Sequence, residues 1–219
     1  MCSVVKKSKI GNQQLKIGNG SIAIFGGTFD PPHNGHVQIA VKVLAAGLAD
    51  RIIFVPAYRP PHKPGFPVSE FRHRLEMLKL ATAGKGKFEV SDMESRRNGP
   101  SYTFDTMLEF EKKNPASQIK LLVGSDSLRL LHTWYKAREI AAKWTLIAYP
   151  REGQVPTSGE LRANWDAKVA EKLLGYILHM PCYDFSSTEI RKRIIDGKNV
   201  EDLVDGAVYR YIIRNRIYS

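Results

Sequence analysis

Ser21-Ile22-Ala23-Ile24-Phe25-Gly26-Gly27-Thr28-Phe29-Asp30-Pro31-Pro32-His33-Asn34-Gly35-His36 runs from a short apolar segment into paired glycines and then into a proline-stiffened loop. Beyond it, from about Asn34, the apolar residues change their spacing to Val37, Ala40, Val41, Leu44 and Leu48. That is the recurrence of one helix face. Arg51 to Val55 forms a second apolar run and stops at Pro56. Strand, glycine turn, helix and strand make a βαβ unit, whose crossover is right-handed and whose strands are parallel.

The alternation continues outward. The patterning predicts a helix over 68–82, a short strand at 87–91, a helix over 103–113 that ends near Asn114-Pro115, and a buried strand from Ile119 to Val123. Short helices are expected around 126–142, a strand from Trp144 to Tyr149, a Gly/Pro/Ser-rich loop at 150–159, a helix over 160–173 and a strand from Tyr176 to Met180, with helices filling the remainder. Near-continuous apolar strands alternating with helices imply a mostly parallel sheet covered on both faces, the doubly wound α/β class, here with a C-terminal helical segment. No composition break marks a second domain, so residues 21–219 are expected to form one domain behind a flexible basic leader over 1–20.

At 219 residues the chain is long enough to bury a sizeable core, and 43% hydrophobic with 25% charged residues is a globular balance. No segment approaches the ~20 consecutive apolar residues of a membrane span, and the first twenty residues lack the apolar block of a secretory signal. A cytoplasmic protein is expected. Cys2 and Cys182 cannot build a disulfide framework, and no Cys-x-x-Cys pair stands ready for zinc.

The net charge of +11 directs attention to anionic partners: nucleic acid, acidic lipid or phosphorylated small molecules. Lys6, Lys7, Lys9 and Lys16 place +4 of it in the leader, which contains no acidic residue. A nucleic-acid arm would carry a denser basic block with interleaved aromatics, so the leader also reads as a solvated extension.

In an open parallel sheet the ligand sits beyond the carboxyl ends of the strands. The loop there, Gly26 to His36, contains neither the Gly-x-Gly-x-x-Gly fingerprint nor a phosphate loop ending in Gly-Lys-Ser/Thr. Instead, two glycines permit close approach of a ligand, and His33 and His36 share one face at a helix start, near its positive end. Two such imidazoles suit phosphate oxygens on which charge develops. An exposed turn is the plainer alternative, and metal ligation lacks a third ligand at a suitable spacing.

Ser186 with Glu189 fits a capping box, so a helix begins there and presents Ser187, Thr188 and Arg191 beside unpaired backbone donors. A guanidinium grips phosphate with two hydrogen bonds at once. Read alone, the segment is equally a plain N-cap before a solvated basic face. Tyr58-Arg59-Pro60-Pro61-His62-Lys63-Pro64 is a stiff basic loop leaving the second strand.

With these residues in view, the chain resembles the bacterial nicotinate-nucleotide adenylyltransferases, of the nucleotidyltransferase superfamily marked by a His-x-Gly-His motif. Gly26 to His36 is similar to their Gly-Gly-Thr-Phe-Asp-Pro-Pro-His-x-Gly-His signature, and Ser186 to Arg191 to their Ser-Ser-Thr-x-x-Arg signature. Pro60-Pro61-His62-Lys63, Gly99 to Thr106, Gly124-Ser125-Asp126 and Thr133-Trp134 are similar to their further elements. Arg151-Glu152-Gly153 departs from the family's Arg-Pro-Gly.

The resemblance implies a Rossmann-like nucleotidyltransferase that transfers the adenylyl group of ATP to nicotinate mononucleotide, giving nicotinate adenine dinucleotide and pyrophosphate. It implies His33, His36 and Arg191 as the catalytic set, with Gly26, Gly27, Thr28, Phe29, Asp126, Ser187, Thr188 and Arg191 around the nucleotide. Lys63, Ser101, Tyr102, Thr103 and Trp134 would meet the substrate. In that arrangement the backbone at Tyr102 and Thr103 faces the nicotinate carboxylate and Trp134 stacks on the pyridine ring, unless Trp134 is simply a core aromatic. Mg2+ accompanies ATP without a dedicated protein cage. Neither membrane nor nucleic acid is an expected partner, and a homo-oligomer is compatible with the sequence. The competing functions are a phosphopantetheine-type adenylyltransferase and, from another class, a nucleic-acid-binding module with steep salt dependence.

Overall fold

The structure, a computed structural model, describes residues 20–59, 68–183 and 185–218. The leader through residue 19, and the segment 60–67 with Lys63, lie outside the described residues. Among those described, five strands form one sheet: β1 (Ser21–Gly27), β2 (Arg51–Pro56), β3 (Phe88–Val90), β4 (Gln118–Gly124) and β5 (Thr145–Tyr149). All neighbours pair in parallel, in the order β3-β2-β1-β4-β5.

The helices are α1 (Asn34–Ala45), α2 (Phe71–Thr82), α3 (Thr103–Lys113), α4 (Ser125–Arg129), α5 (Ala137–Lys143), α6 (Ser158–Arg162), α7 (Ala167–Gly175), α8 (Ser187–Ile195) and α9 (Gly206–Arg214). Because side chains alternate across a pleated strand, each strand feeds two cores. Ile22, Ile24, Ile53, Val55, Leu121 and Val123 join one, with Met107 and Phe110 of α3 and Ile140 of α5. Ala23, Phe25, Ile52, Phe54 and Leu122 join the other, with Ile39, Ala40 and Val43 of α1. A third cluster packs the C-terminal helices on α2 through Met77, Ile190, Val204, Val208 and Ile212. No helix among the described residues is long and apolar enough to cross a membrane.

Three expectations change. Tyr176 to Met180 is not a strand: Ile177 makes a single parallel bridge to Ala148. Ala148 donates to the Tyr176 carbonyl (3.0 Å) and Leu178 donates to the Ala148 carbonyl (2.8 Å). The next donor on the β5 side is Pro150, which has no N–H, and the Tyr176 N–H is already held by the Leu173 carbonyl at the end of α7. The ladder is therefore closed at both ends.

The helix expected over 160–173 divides into α6 and α7. Asp166 accepts the Val169 N–H (2.9 Å) and caps a new helix just after the buried Trp165. The helix expected from 68 begins at Phe71, because Glu70 has ψ 143° and is extended.

The order of strands reverses between β1 and β4, since β2 and β3 lie to one side of β1 and β4 and β5 to the other. Such a switch point opens a crevice beyond the strand ends. Gly26-Gly27 ends β1 and Gly124 ends β4, so the glycine-rich motifs meet at that crevice.

Candidate active site

Two adjoining cavities among those that open over this edge of the sheet meet at the end of β1. One, about 300 Å3, is lined by His33, His36, Asp126, Arg151, Thr188 and Arg191 among others. The other, about 250 Å3, is lined by Glu94, Ser101, Tyr102, Thr103, Tyr135 and Trp134. They share Gly26, Gly27, Thr28, Val123, Ser127 and Trp134, so the end of β1 forms the sill between them.

The two histidines cap their own helix reciprocally. His36 N–H donates to His33 Nδ1 (3.3 Å) and His33 N–H donates to His36 Nδ1 (3.2 Å). This is a capping box made of imidazoles in place of Ser and Glu. Both Nδ1 atoms are thereby acceptors, so in the neutral rings the proton resides on Nε2, leaving each ring one outward donor. The rings stack at 3.6 Å between centroids, the Phe185 ring lies nearly parallel to His33 at 5.7 Å, and Phe29 meets His36 edge-on at 4.9 Å. Gly35 makes this stack possible, since a Cβ there would fall 2.7 Å from the Phe185 ring.

Burial holds both rings neutral. Desolvation, reinforced by the Arg151 charge, pushes His33 down from 6.5 to about 3. His36 is held well below 6.5 by burial first, then by His33 and Arg151. In both cases the unfolded chain takes up protons that the fold excludes, so this contribution to stability is complete above pH 6.5 and is lost as pH falls from there towards 3.

The expected anion site at the N-terminus of α1 is therefore built differently from the expectation. The Asn34 amide donates to the Leu203 carbonyl (2.8 Å) and the His36 amide is used in the cap, so imidazole donors take the place of those backbone donors.

Arg191 arrives from the other end of the chain. Its Nη1 donates to the Asp30 carbonyl (2.7 Å), and Ser187 Oγ donates to the Pro31 carbonyl (2.9 Å). The start of α8 is thus hydrogen-bonded to the residues directly before His33. Ser186 Oγ accepts the Glu189 N–H (3.4 Å), but the Glu189 carboxylate turns to Arg193 (3.1 Å), so only half of the expected capping box forms.

Asp126 and Arg151 close the histidine cavity. Arg151 Nη1 donates to Asp126 Oδ2 (3.0 Å), whereas Asp126 Oδ1 is buried with no hydrogen-bond partner. Gly124 leaves room for that carboxylate, which a Cβ would overlap. The Arg-Glu-Gly departure preserves a tight turn: Gln154 N–H donates to the Arg151 carbonyl (3.0 Å) and Gly153 supplies a φ of 64°.

In the second cavity, Thr103 opens α3, and no side chain caps that helix. The Tyr102 N–H is already engaged with the Pro100 carbonyl (3.0 Å), so the amides open to a ligand start at Thr103. Ser101 lines this cavity, and its Oγ accepts the N–H groups of Tyr58 and Arg59, both at 3.0 Å, and thereby holds the loop after β2. Trp134 is half-buried on the shared wall, and the Tyr135 ring lies 4.7 Å from that of Tyr102. Phe29 is 3% exposed: most of its ring is packed in the core behind the loop, and it lines the histidine cavity with little open surface.

Gly26, Gly27, Thr28, Phe29, His33, His36, Asp126, Ser187, Thr188 and Arg191 all border one cavity, and Ser101, Tyr102, Thr103 and Trp134 the other. Lys63 is outside the described residues. Sequence reasoning missed Arg74, which is 2% exposed and donates to the carbonyls of Thr28 (2.9 Å), Ala57 (2.8 Å) and Ser69 (2.9 Å). It also passed over Phe185, although its position beside Ser186 was a signal.

A glycine-edged crevice at the switch point, with paired histidines at the start of α1 and an arginine on α8, is the arrangement that the resemblance to the nucleotidyltransferases implies. The cytidylyltransferase-like family model matches residues 24–193. Nicotinate-nucleotide adenylyltransferase of Bacillus subtilis is 36% identical over 198 residues, covering 90% of this chain and 98% of that one. A Neisseria meningitidis serogroup B protein named as a probable nicotinate-nucleotide adenylyltransferase is 39% identical over 200 residues, with the same coverage. The chain belongs to the cytidylyltransferase-like family and, within it, to the nicotinate-nucleotide adenylyltransferases. Its fold matches the structure of Plasmodium falciparum nicotinic acid mononucleotide adenylyltransferase complexed with NaAD, with a TM-score of 0.73 at 21% identity, covering 90% of this chain and 97% of that one.

Proposed function

We infer that the chain transfers the adenylyl group of ATP to nicotinate mononucleotide, releasing pyrophosphate and forming nicotinate adenine dinucleotide for NAD biosynthesis. One observation carries the assignment of sides: the two cavities meet across Gly26–Thr28, with the histidines and Arg191 on one side and Trp134 on the shared wall. The triphosphate takes the first cavity and the pyridine ring the second, which brings the phosphate of the mononucleotide to the α-phosphorus of ATP over the glycine sill.

The attacking phosphate is an anion at neutral pH, so no protein nucleophile or general base is needed. Catalysis reduces to alignment and charge stabilisation. The Nε2–H donors of His33 and His36 face the phosphate oxygens on which charge accumulates, and they do so as neutral groups whose orientation the cap has already fixed. Arg191 and Thr188 hold the β- and γ-phosphates that leave as pyrophosphate, with Ser187 anchoring the loop. Trp134 stacks on the pyridine ring, and the open α3 amides from Thr103 onward receive its carboxylate.

Asp126 Oδ1, buried and without a partner, fits either a ribose hydroxyl or one oxygen in the shell of a divalent cation. Mg2+ carried by the triphosphate would neutralise its charge, with phosphate and water oxygens supplying most ligands.

The assignment is tested by pyrophosphate release with ATP and, in turn, nicotinate mononucleotide, nicotinamide mononucleotide and 4′-phosphopantetheine. Turnover is expected to be fastest with the first; preference for phosphopantetheine would overturn the reading. Trp134→Ala is expected to raise KM for nicotinate mononucleotide roughly tenfold to a hundredfold, from about 1–3 kcal/mol of lost stacking, while leaving KM for ATP within about twofold. Equal rises for both substrates would remove Trp134 from the pyridine.

A further inference from the structure

Asp30 is 3% exposed and makes three hydrogen bonds that lead to three distant parts of the chain. Its Oδ1 accepts the Tyr218 hydroxyl (2.6 Å), its Oδ2 accepts the Ser69 N–H just before α2 (3.1 Å), and its carbonyl accepts Arg191 Nη1 (2.7 Å). Ser69 is itself held, because its carbonyl accepts Arg74 Nε, and Arg74 also ties down Thr28 and Ala57. Asp30 is therefore the joint between the C-terminal segment, α2 and the guanidinium assigned to the triphosphate.

The backbone around Tyr218 is committed to this contact. Tyr218 has φ 72° and Arg216 has φ 51°, left-handed conformations that side chains other than glycine rarely adopt, and the buried Ile217 lies between them. Burial, then the neighbouring Asp30 carboxylate, pushes the Tyr218 phenol up from 10, so it stays protonated and donates to Asp30 across the working pH range.

We propose that Tyr218 is a positioning residue for the adenylyl transfer: through Asp30 it fixes the loop carbonyl that aims Arg191 into the triphosphate cavity. The inference rests on the function proposed above. Without the phenol hydroxyl, the Asp30 carboxylate loses one of its two restraints, the peptide bearing the Arg191 acceptor can rotate, and the guanidinium is no longer held in a single orientation. Arg191 lines the triphosphate cavity and not the cavity of Tyr102 and Thr103, so the effect falls on ATP before the mononucleotide.

The test compares Tyr218→Phe, Asp30→Asn and the double variant with the unaltered protein. Tyr218→Phe keeps the ring, and is expected to raise KM for ATP about tenfold and to weaken ATP binding to the free protein, measured by calorimetry without mononucleotide, by a similar factor. KM for nicotinate mononucleotide is expected to stay within about twofold. Asp30→Asn replaces one acceptor oxygen with a donor and should show the same selectivity, and the double variant should be no worse than the more damaged single one, as for two groups acting through one contact. Unchanged ATP affinity in Tyr218→Phe with only a lower melting temperature, equal KM rises for both substrates, or additive effects in the double variant would each overturn the proposal. Absence of turnover in the unaltered protein would instead refute the proposed function, and the ATP-binding comparison would still decide the role of Tyr218.

Discussion

Replacing His36 with alanine lowers adenylyl transfer by roughly 10²–10³ in kcat, the usual consequence of removing one preorganised donor from a developing oxyanion. The loss has two sources in this site. The Nε2–H donor disappears, and so does the Nδ1 acceptor that His33 N–H uses (3.2 Å), which frees the His33 ring from its stacked partner at 3.6 Å. The structural cost is smaller: losing one half of a cap costs about 0.5–2 kcal/mol. The variant should fold, as a circular-dichroism melt will show, while steady-state pyrophosphate release collapses. Near-normal turnover in a folded His36→Ala protein would remove the imidazole pair from the chemistry.

The two neighbouring glycines of the sill are expected to respond in opposite ways. A Cβ on Gly26 meets nothing within 4 Å and projects into open space, whereas one on Gly27 would lie 2.9 Å from the Phe29 ring. Gly26→Ala should therefore fold as well as the parent, or better by about 0.4–1 kcal/mol through a less flexible unfolded chain. Its methyl group occupies space assigned to the reacting nucleotides, and overpacking of about 1–3 kcal/mol corresponds to roughly ten- to hundredfold in kcat/KM. Gly27→Ala should instead lower the melting temperature, because the Phe29 ring is wedged among Phe25, Phe54 and His36 and has nowhere to retreat. Thermal melts with matched kinetics separate the two. A Gly26→Ala protein with parental kcat/KM would move the nucleotides off the sill.

The readable parts of the sequence were those in which neighbouring residues act together. The apolar runs at Ser21 and Arg51 flank a helical stripe and become β1, β2 and α1, and the glycine and histidine motifs fall just beyond the ends of β1 and β4, where a doubly wound sheet collects its ligands. The run at Tyr176 carries the same apolar signal, yet its pairing depends on Pro150 in another segment, which composition within the run does not reveal.

Long-range polar contacts were hidden for a similar reason. Arg72, His73 and Arg74 are consecutive on α2. Arg72 is exposed and pairs with Glu70 (2.8 Å), His73 meets the Tyr211 hydroxyl (3.0 Å), and only Arg74 is buried beneath the motif loop. Nothing local distinguishes them. Tyr218 and Asp30 are 188 residues apart, and only the folded chain brings them together. The histidine pair at α1 shows the opposite case: both histidines were visible, but the sequence did not reveal that each ring consumes the other's backbone donor and so commits both Nδ1 atoms as acceptors.

The most direct test follows the imidazole nitrogens of His33 and His36 by long-range 1H–15N correlation between pH 5 and 8, with and without ATP. Both rings should show a protonated Nε2 and a bare Nδ1 throughout, with no titration step near 6.5, and both Nε2 resonances should shift when ATP saturates the site. A step near 6.5, a proton on Nδ1, or Nε2 signals that ignore saturating ATP would contradict a cradle of neutral, pre-aimed donors.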